Sequence, residues 1–195
     1  MRGRVLRLSL IGVSVAVVTA LVLIAGTAAL LARRPLPERD GEVHLDGLSS
    51  TVSVLRGDVG VPDIYADTAA DLFRAQGYLQ AQERFYEMDV RRRVARGTLA
   101  QFVGGRSGAL SSDVLARTVG FARIAEAELP LLDDAAREAL DAFAAGVNDY
   151  LRPRTPSEIS LNCTLLGGGG DLQKIQPWTA TDSLAVLKYL AWELS

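Results

Sequence analysis

The chain has 195 residues, 49% of them hydrophobic and 23% charged, with a formal net charge of −2. Residues 1–34 hold five of the 21 basic residues and none of the 23 acidic ones, so the other 161 residues carry a net −7: enough chain for one domain with a core, and the wrong sign for a nucleic-acid surface. The one cysteine, Cys163, excludes an internal disulfide, and no His or Cys cluster has metal-ligand spacing, so stability rests on packing.

Residues 8–32 are uncharged and rich in Val, Leu, Ala and Ile, long enough to cross the hydrocarbon core of a bilayer. Arg2, Arg4 and Arg7 precede this run and Arg33 and Arg34 follow it, which favours the amino end staying in the cytoplasm. The expectation is a single-pass anchor in the cell membrane with the rest of the chain outside the cytoplasm. The alternative is a cleaved signal, with Gly26, Ala28 and Ala29 small enough for a peptidase and the product secreted or periplasmic. Residues 35–50, with Pro35, Pro37 and a scatter of acids, lack apolar periodicity and read as a tether; His44 within them is expected to be solvated.

The folded part is expected over residues 51–195. Residues 51–55 alternate polar and apolar, and 63–66 supply a second strand, with Val52, Val54, Val61 and Ile64 available for one buried face; Gly60 and Pro62 mark the turn between them. Asp67 or Thr68 caps a long helix with Asp71 in its first turn. Its stripe is Leu72, Ala75, Leu79, Tyr86 and Val90, flanked by Phe73, Phe85 and Met88, with Glu87 and Arg91 as an i, i+4 ion pair. Gly97 ends it, and a short turn over 98–103 leads to the loop of Gly104, Gly105 and Gly108, which lacks the Lys-Ser or Lys-Thr of a phosphate-binding loop.

Ser111 or Ser112 opens a helix carrying Val114, Leu115, Val119 and Ile124 as far as Leu129, before Pro130. Asp133 or Asp134 starts another, with Ala136, Leu140, Phe143, Val147 and Leu151 in step and Gly146 placed for close backbone approach. Pro153 and Pro156 break the pattern, and the stretch to Gln176, with glycines at 167–170, reads as a loop without the strand and acidic residue of a dinucleotide site. Thr181 or Asp182 caps a last helix with an apolar face of Leu184, Leu187, Leu190, Ala191 and Leu194. No stop signal follows it, so the sequence is expected to be a fragment.

Several segments occur in a telling order. Asp58-Val59-Gly60-Val61-Pro62-Asp63-Ile64-Tyr65-Ala66 precedes Asp71-Leu72-Phe73, Gln76-Gly77-Tyr78 and Ala81-Gln82-Glu83-Arg84. Met88-Asp89, Arg91-Arg92, Arg96-Gly97-Thr98-Leu99-Ala100, Gly146-Val147-Asn148 and Pro177-Trp178 with Asp182 follow. Over about residues 51–195 this order resembles the penicillin acylase family of N-terminal nucleophile hydrolases, in its first-chain portion.

The resemblance implies an α+β fold, mainly helical in this stretch, forming part of a four-layer αββα sandwich behind the N-terminal transmembrane helix. It implies an exported precursor that cuts itself and exposes a serine at the start of a second chain, which would be this chain's partner together with the membrane. A free α-amino group titrates near neutrality and takes the serine proton without a histidine, and amide donors hold the oxyanion. The substrate class implied is an acylated amine, such as a β-lactam or an acyl-homoserine lactone, cleaved at its linear amide.

The catalytic residue is thus expected outside this chain, and the stretch alone is expected to be inactive. Counting from Trp178 puts Ala191, Leu194 and Ser195 near the acyl-pocket wall. Better-known members have an arginine and an aromatic residue about where Leu194 and Ser195 stand, so their acyl preference does not carry over. Members often bind calcium, but the first-chain carboxylate for it falls beyond Ser195, so no metal ligand is expected in this chain. The competing expectation is a noncatalytic product or a membrane-tethered helical interaction module.

Overall fold

The structure, a computed structural model, describes residues 2–33, 36, 40–58, 60–104, 108–160 and 175–195; within 2–33 the side chains described are 12, 14, 15, 17–30 and 33. Cys163 and the glycines at 167–170 lie outside the described residues. The chain divides into two units, Met1–Leu36 and Pro37–Ser195.

The first unit is one helix, α1 (Arg2–Arg33). Thr19 and Thr27 turn their hydroxyls back on the helix, each donating to the carbonyl four residues earlier at 2.8 Å, which leaves neither polar group needing outside partners. Among the described residues, unbroken in α1 only over 17–30, no helix is long and apolar enough to cross a membrane. The structure therefore does not show the expected anchor.

The second unit opens with a two-stranded antiparallel hairpin, β1 (Ser53–Arg56) and β2 (Pro62–Tyr65), in the register Ser53 with Tyr65 and Arg56 with Pro62. Val54 and Ile64 face each other across the ladder and pack on the main core, while Leu55 and Tyr65 point outward, the two-residue alternation of a strand with one wet face. Val61, expected on the buried face, is 61% exposed because it precedes the strand in the turn. Gly60 makes that turn with φ of 77° and its N–H on the Gly57 carbonyl.

The long helix α2 (Ala69–Arg96) starts at Thr68, whose hydroxyl accepts from the Asp71 N–H, and ends at Gly97 in the left-handed conformation. Its backbone departs from helical geometry at Arg84. The buried line is Ala75, Tyr78, Leu79, Phe85 and Met88 with Asp71, Gln82, Asp89 and Arg92, so Tyr86 and Val90 lie at the rim of the face expected from the apolar pattern. Glu87 and Arg91 do not pair; among the described residues the acids of this helix take Arg56, Arg92 and Arg93 instead.

After α3 (Leu99–Val103), the single helix expected to reach Leu129 is two, α4 (Ala109–Val119) and α5 (Phe121–Glu128), because Gly120 adopts a φ of 83° and closes the first while opening the second. Helix α4 starts at Gly108 rather than Ser111 or Ser112 and turns Ala109, Asp113 and Ala116 inward, leaving Val114 and Leu115 more than half exposed. Asp113 decides this: its carboxylate accepts the Leu99 and Ala100 N–H groups at 2.7 and 3.0 Å, capping the open amino end of α3.

Asp133 caps α6 (Asp134–Leu151), which lies along α2. Gly77 and Gly146 make the approach close: a Cβ on Gly77 would collide with the Phe143 carbonyl oxygen, and one on Gly146 with that of Arg74. The main core lies between these helices and the hairpin, built on Phe85, Val147, Tyr150 and Trp178, with Tyr78 edge-on to Tyr150 at 5.5 Å. The hairpin is thus packed against α2, and Arg56 pairs with Glu83 at 3.0 Å across that contact.

Past the short α7 (Pro156–Ile159), the last helix is α8 (Ala180–Glu193). Its cap is Thr179, not Thr181 or Asp182, and Asp182 instead occupies the third helical position of a reciprocal capping box. A smaller core of Ala95, Ala125, Leu184 and Ala185 joins α8 to α2 and α5.

Candidate functional site

Burying a charge is costly unless it is paired and hydrogen-bonded, so the buried charged side chains report what this region is built to hold. Asp89 and Asp182 are 7% and 1% exposed and Arg92 is 4% exposed. Asp89 accepts from Arg92 Nε at 3.0 Å and from Arg93 Nε at 2.7 Å. The other branch of Arg92 donates to the carbonyls of Gln176 and Pro177 at 3.1 and 3.0 Å, lies 3.7 Å from the Asp182 carboxylate, and sits over the Trp178 ring at 5.2 Å. Arg96 closes the group with a 2.5 Å bond from Nε to Asp182.

The opposite side of residues 176–178 is held by Asn148, whose amide donates to the Trp178 carbonyl at 2.9 Å and accepts its N–H at 2.8 Å, while the indole N–H donates to Ser183. The Asp182 carboxylate also accepts the Thr179 N–H and hydroxyl, each at 2.9 Å. Segments far apart in sequence, Asp89 and Arg92 on α2, Asn148 on α6, and Pro177, Trp178 and Asp182, thus form one clasp that seats α8. Every charge in it is spent on another protein group, so its work is to position.

The seated helix leads to the residues expected at a substrate wall. Ala191, Leu194 and Ser195 all stand on its exposed final turns, with Leu194 88% exposed and the Ser195 hydroxyl turned back on the Trp192 carbonyl at 2.9 Å. Beside them Tyr189 and Trp192 both meet the Phe121 ring edge-on, at 5.9 and 6.2 Å, which sequence reasoning missed because the partner ring lies on another helix. Burial, then its bond to Glu193, pushes the Tyr189 phenol up to about 12, partly offset by Arg91, so it is a hydrogen-bond donor and not a base. This end of α8 offers apolar contact surface, with the Tyr189 phenol already donating to Glu193.

His44 is more than 90% exposed beside Asp46, as expected of a solvated residue. Among the described residues no three His, Cys, Asp or Glu side chains gather at metal-binding spacing.

The chain is similar to known proteins in sequence and in fold. The sequence profile described as penicillin amidase matches residues 51–195. Penicillin acylase 2 proenzyme of Pseudomonas sp. (strain SE83) is 34% identical over 155 residues, covering 80% of this chain and 19% of that protein. The acyl-homoserine lactone acylase QuiP of Pseudomonas aeruginosa is 34% identical over 128 residues, covering 64% of this chain and 15% of that protein. The solved structure of a thermostable penicillin G acylase from Alcaligenes faecalis is 28% identical, covers 71% of this chain and 70% of its own, and superposes with a TM-score of 0.61. The chain belongs to the penicillin amidase family, whose curated members here are amide-cleaving acylases. It spans about a fifth or less of the length of the curated relatives it matches.

Proposed function

We propose that this chain is the front portion of an exported acylase precursor that hydrolyses the linear amide between an acyl group and an amine, the amine being a β-lactam nucleus or a homoserine lactone. The observation that carries this reading is the family match over 51–195 together with the fold likeness to a penicillin G acylase. The nucleophile is a serine outside these residues, at the amino terminus of a second chain, with its own α-amino group as base. Two facts support a divided precursor. A relative is named a proenzyme, and the chain of the solved acylase is about as long as this one although the curated relatives are several times longer.

In this reading the outward Leu110, Val114, Leu115, Leu187 and Trp192 are surface that the second chain covers, completing an αββα sandwich; so many exposed large apolar side chains are characteristic of an interaction face. Ala191, Leu194 and Ser195 form part of the acyl-pocket wall. Residues 1–34 hold the enzyme at the outer face of the cytoplasmic membrane, or are removed as a signal. The uncharged run and the self-satisfied hydroxyls of α1 support an apolar environment. Calcium, if the complete protein binds it, draws on carboxylates outside this chain.

The test is to express the whole reading frame and resolve the product by mass. Two chains, with one chain only when the candidate serine is replaced by alanine, is the expected outcome. A single uncut product, or a frame with no such serine, would make this a noncatalytic interaction module.

A further inference from the structure

The clasp at the start of α8 does more than its capping requires. A capping box needs Asp182 only to accept the Thr179 N–H, yet this carboxylate is 1% exposed and also takes Arg96 at 2.5 Å and lies 3.7 Å from Arg92, both on α2. Beyond Ala185 the helix leans on α5, where Tyr189 and Trp192 meet the Phe121 ring. Val186 and Tyr189 are half-buried, Lys188 pairs with Glu128, and Leu187, Ala191, Trp192 and Leu194 are exposed. The helix is therefore fixed to α2 by charge at its amino end, while its later turns meet α5 through the Phe121 ring and the Lys188–Glu128 pair.

We infer that Asp182 is a positioning residue: its ion pairs with Arg92 and Arg96 set the angle of α8 on α2, and so set where the terminal turn carrying Ala191, Leu194 and Ser195 stands. Its bearing on catalysis rests on the reading of that turn as a pocket wall. Glu193 is about 16 Å along the axis from Asp182, so a swing of about 5° moves it by about 1.4 Å. A displacement of that size at a wall that grips the acyl group weakens ground-state and transition-state binding alike, which shows in KM and leaves kcat in place. The arrangement is also separable from folding: Arg92 keeps Asp89 and two backbone carbonyls without Asp182, and Arg96 is 37% exposed and can be hydrated.

The experiment is amide hydrogen exchange, residue by residue, on the full 195-residue chain in detergent micelles, comparing Asp182→Asn, Arg96→Gln and Thr179→Ala. Asp182→Asn keeps an acceptor for the Thr179 N–H, and Arg96→Gln leaves the cap untouched should the first variant fold poorly. For both, exchange about tenfold faster along α8 as far as residue 193, with residues 144–150 of α6 unchanged, is expected; Thr179→Ala should speed only the first turn. Acceleration confined to the first turn in all three variants, or spread equally into α6, overturns the proposal.

In the whole reading frame, Arg96→Gln should raise KM for the acylated amide about tenfold with kcat held within about twofold. Loosened exchange along α8 with an unchanged KM would uphold the positioning role and refute the pocket-wall reading instead.

Discussion

Two glycines and one aspartate carry much of what single residues do here. Gly146→Ala inserts a methyl group against the Arg74 carbonyl, a backbone atom that cannot rotate aside. The expected loss is about 3 kcal/mol, at the upper end for overpacking, read as a fall of roughly 6–12 °C in the thermal midpoint by circular dichroism. Gly146 was legible in the sequence as a glycine inside an otherwise apolar helical pattern; that Gly77 answers it from α2 was not, because the pairing spans most of the domain.

Asp71 was legible only as an acid in a first turn. The structure adds that it fastens the end of the expected tether, accepting the Ser49 hydroxyl at 2.5 Å and the Ser49 N–H at 2.9 Å, while Arg74 reaches the Gly47 carbonyl. The Ser49 hydroxyl first, then its N–H, holds the Asp71 pKa below its ordinary 3.8, against a smaller opposing effect of burial and with help from Thr68 and Ser50. A depressed folded value stabilises fully above the unfolded one and is lost as pH falls through the folded one. Denaturant melts of wild type and Asp71→Asn should therefore differ by a constant amount above about pH 5 and converge below 3.8. A difference that grew on acidification would contradict this.

Among the elements, those closed by local chemistry were legible and those set by distant partners were not. Thr68, Gly97 and Asp133 act through their own neighbours in sequence, and each stands where the sequence placed it or among the two residues it offered. Helix α4 inverts its expected face because the caps of α3 come from Asp113, more than a turn of chain away, and no pattern of apolar spacing records that. The stripe on α2 is likewise displaced by arginines and aspartates that pair inside the protein. The motifs that carry the family resemblance were legible as an order of residues, and the structure supplies the reason for the later ones: Asp89, Arg92, Arg96, Asn148, Pro177 and Asp182 build the clasp around Trp178. Asn148→Ala removes both partners of the Trp178 backbone, and the unpaired N–H and carbonyl should cost about 1–3 kcal/mol, measurable as a lower denaturant midpoint with an unchanged slope. A neutral effect would mean that residues 176–178 are held by Arg92 alone.

On the scale of the whole molecule, the second unit packs helix on helix with a hairpin against its core, and an apolar outward face is left on each of α4 and α8. Leu110, Val114 and Leu115 on α4 and Leu187, Trp192 and Leu194 on or just after α8 are each more than half exposed, and α8 also carries the expected pocket wall. The acylase reading explains those faces as the seat of a second chain, and explains why the described residues hold helix to helix without gathering a nucleophile. Release of amine from an acylated chromogenic amide by cells expressing the whole reading frame tests this most directly. Amine release that disappears with the second-chain serine replaced is the predicted result; release that persists in that variant, or no release from any acylated amine by a correctly folded full-length product, would contradict it.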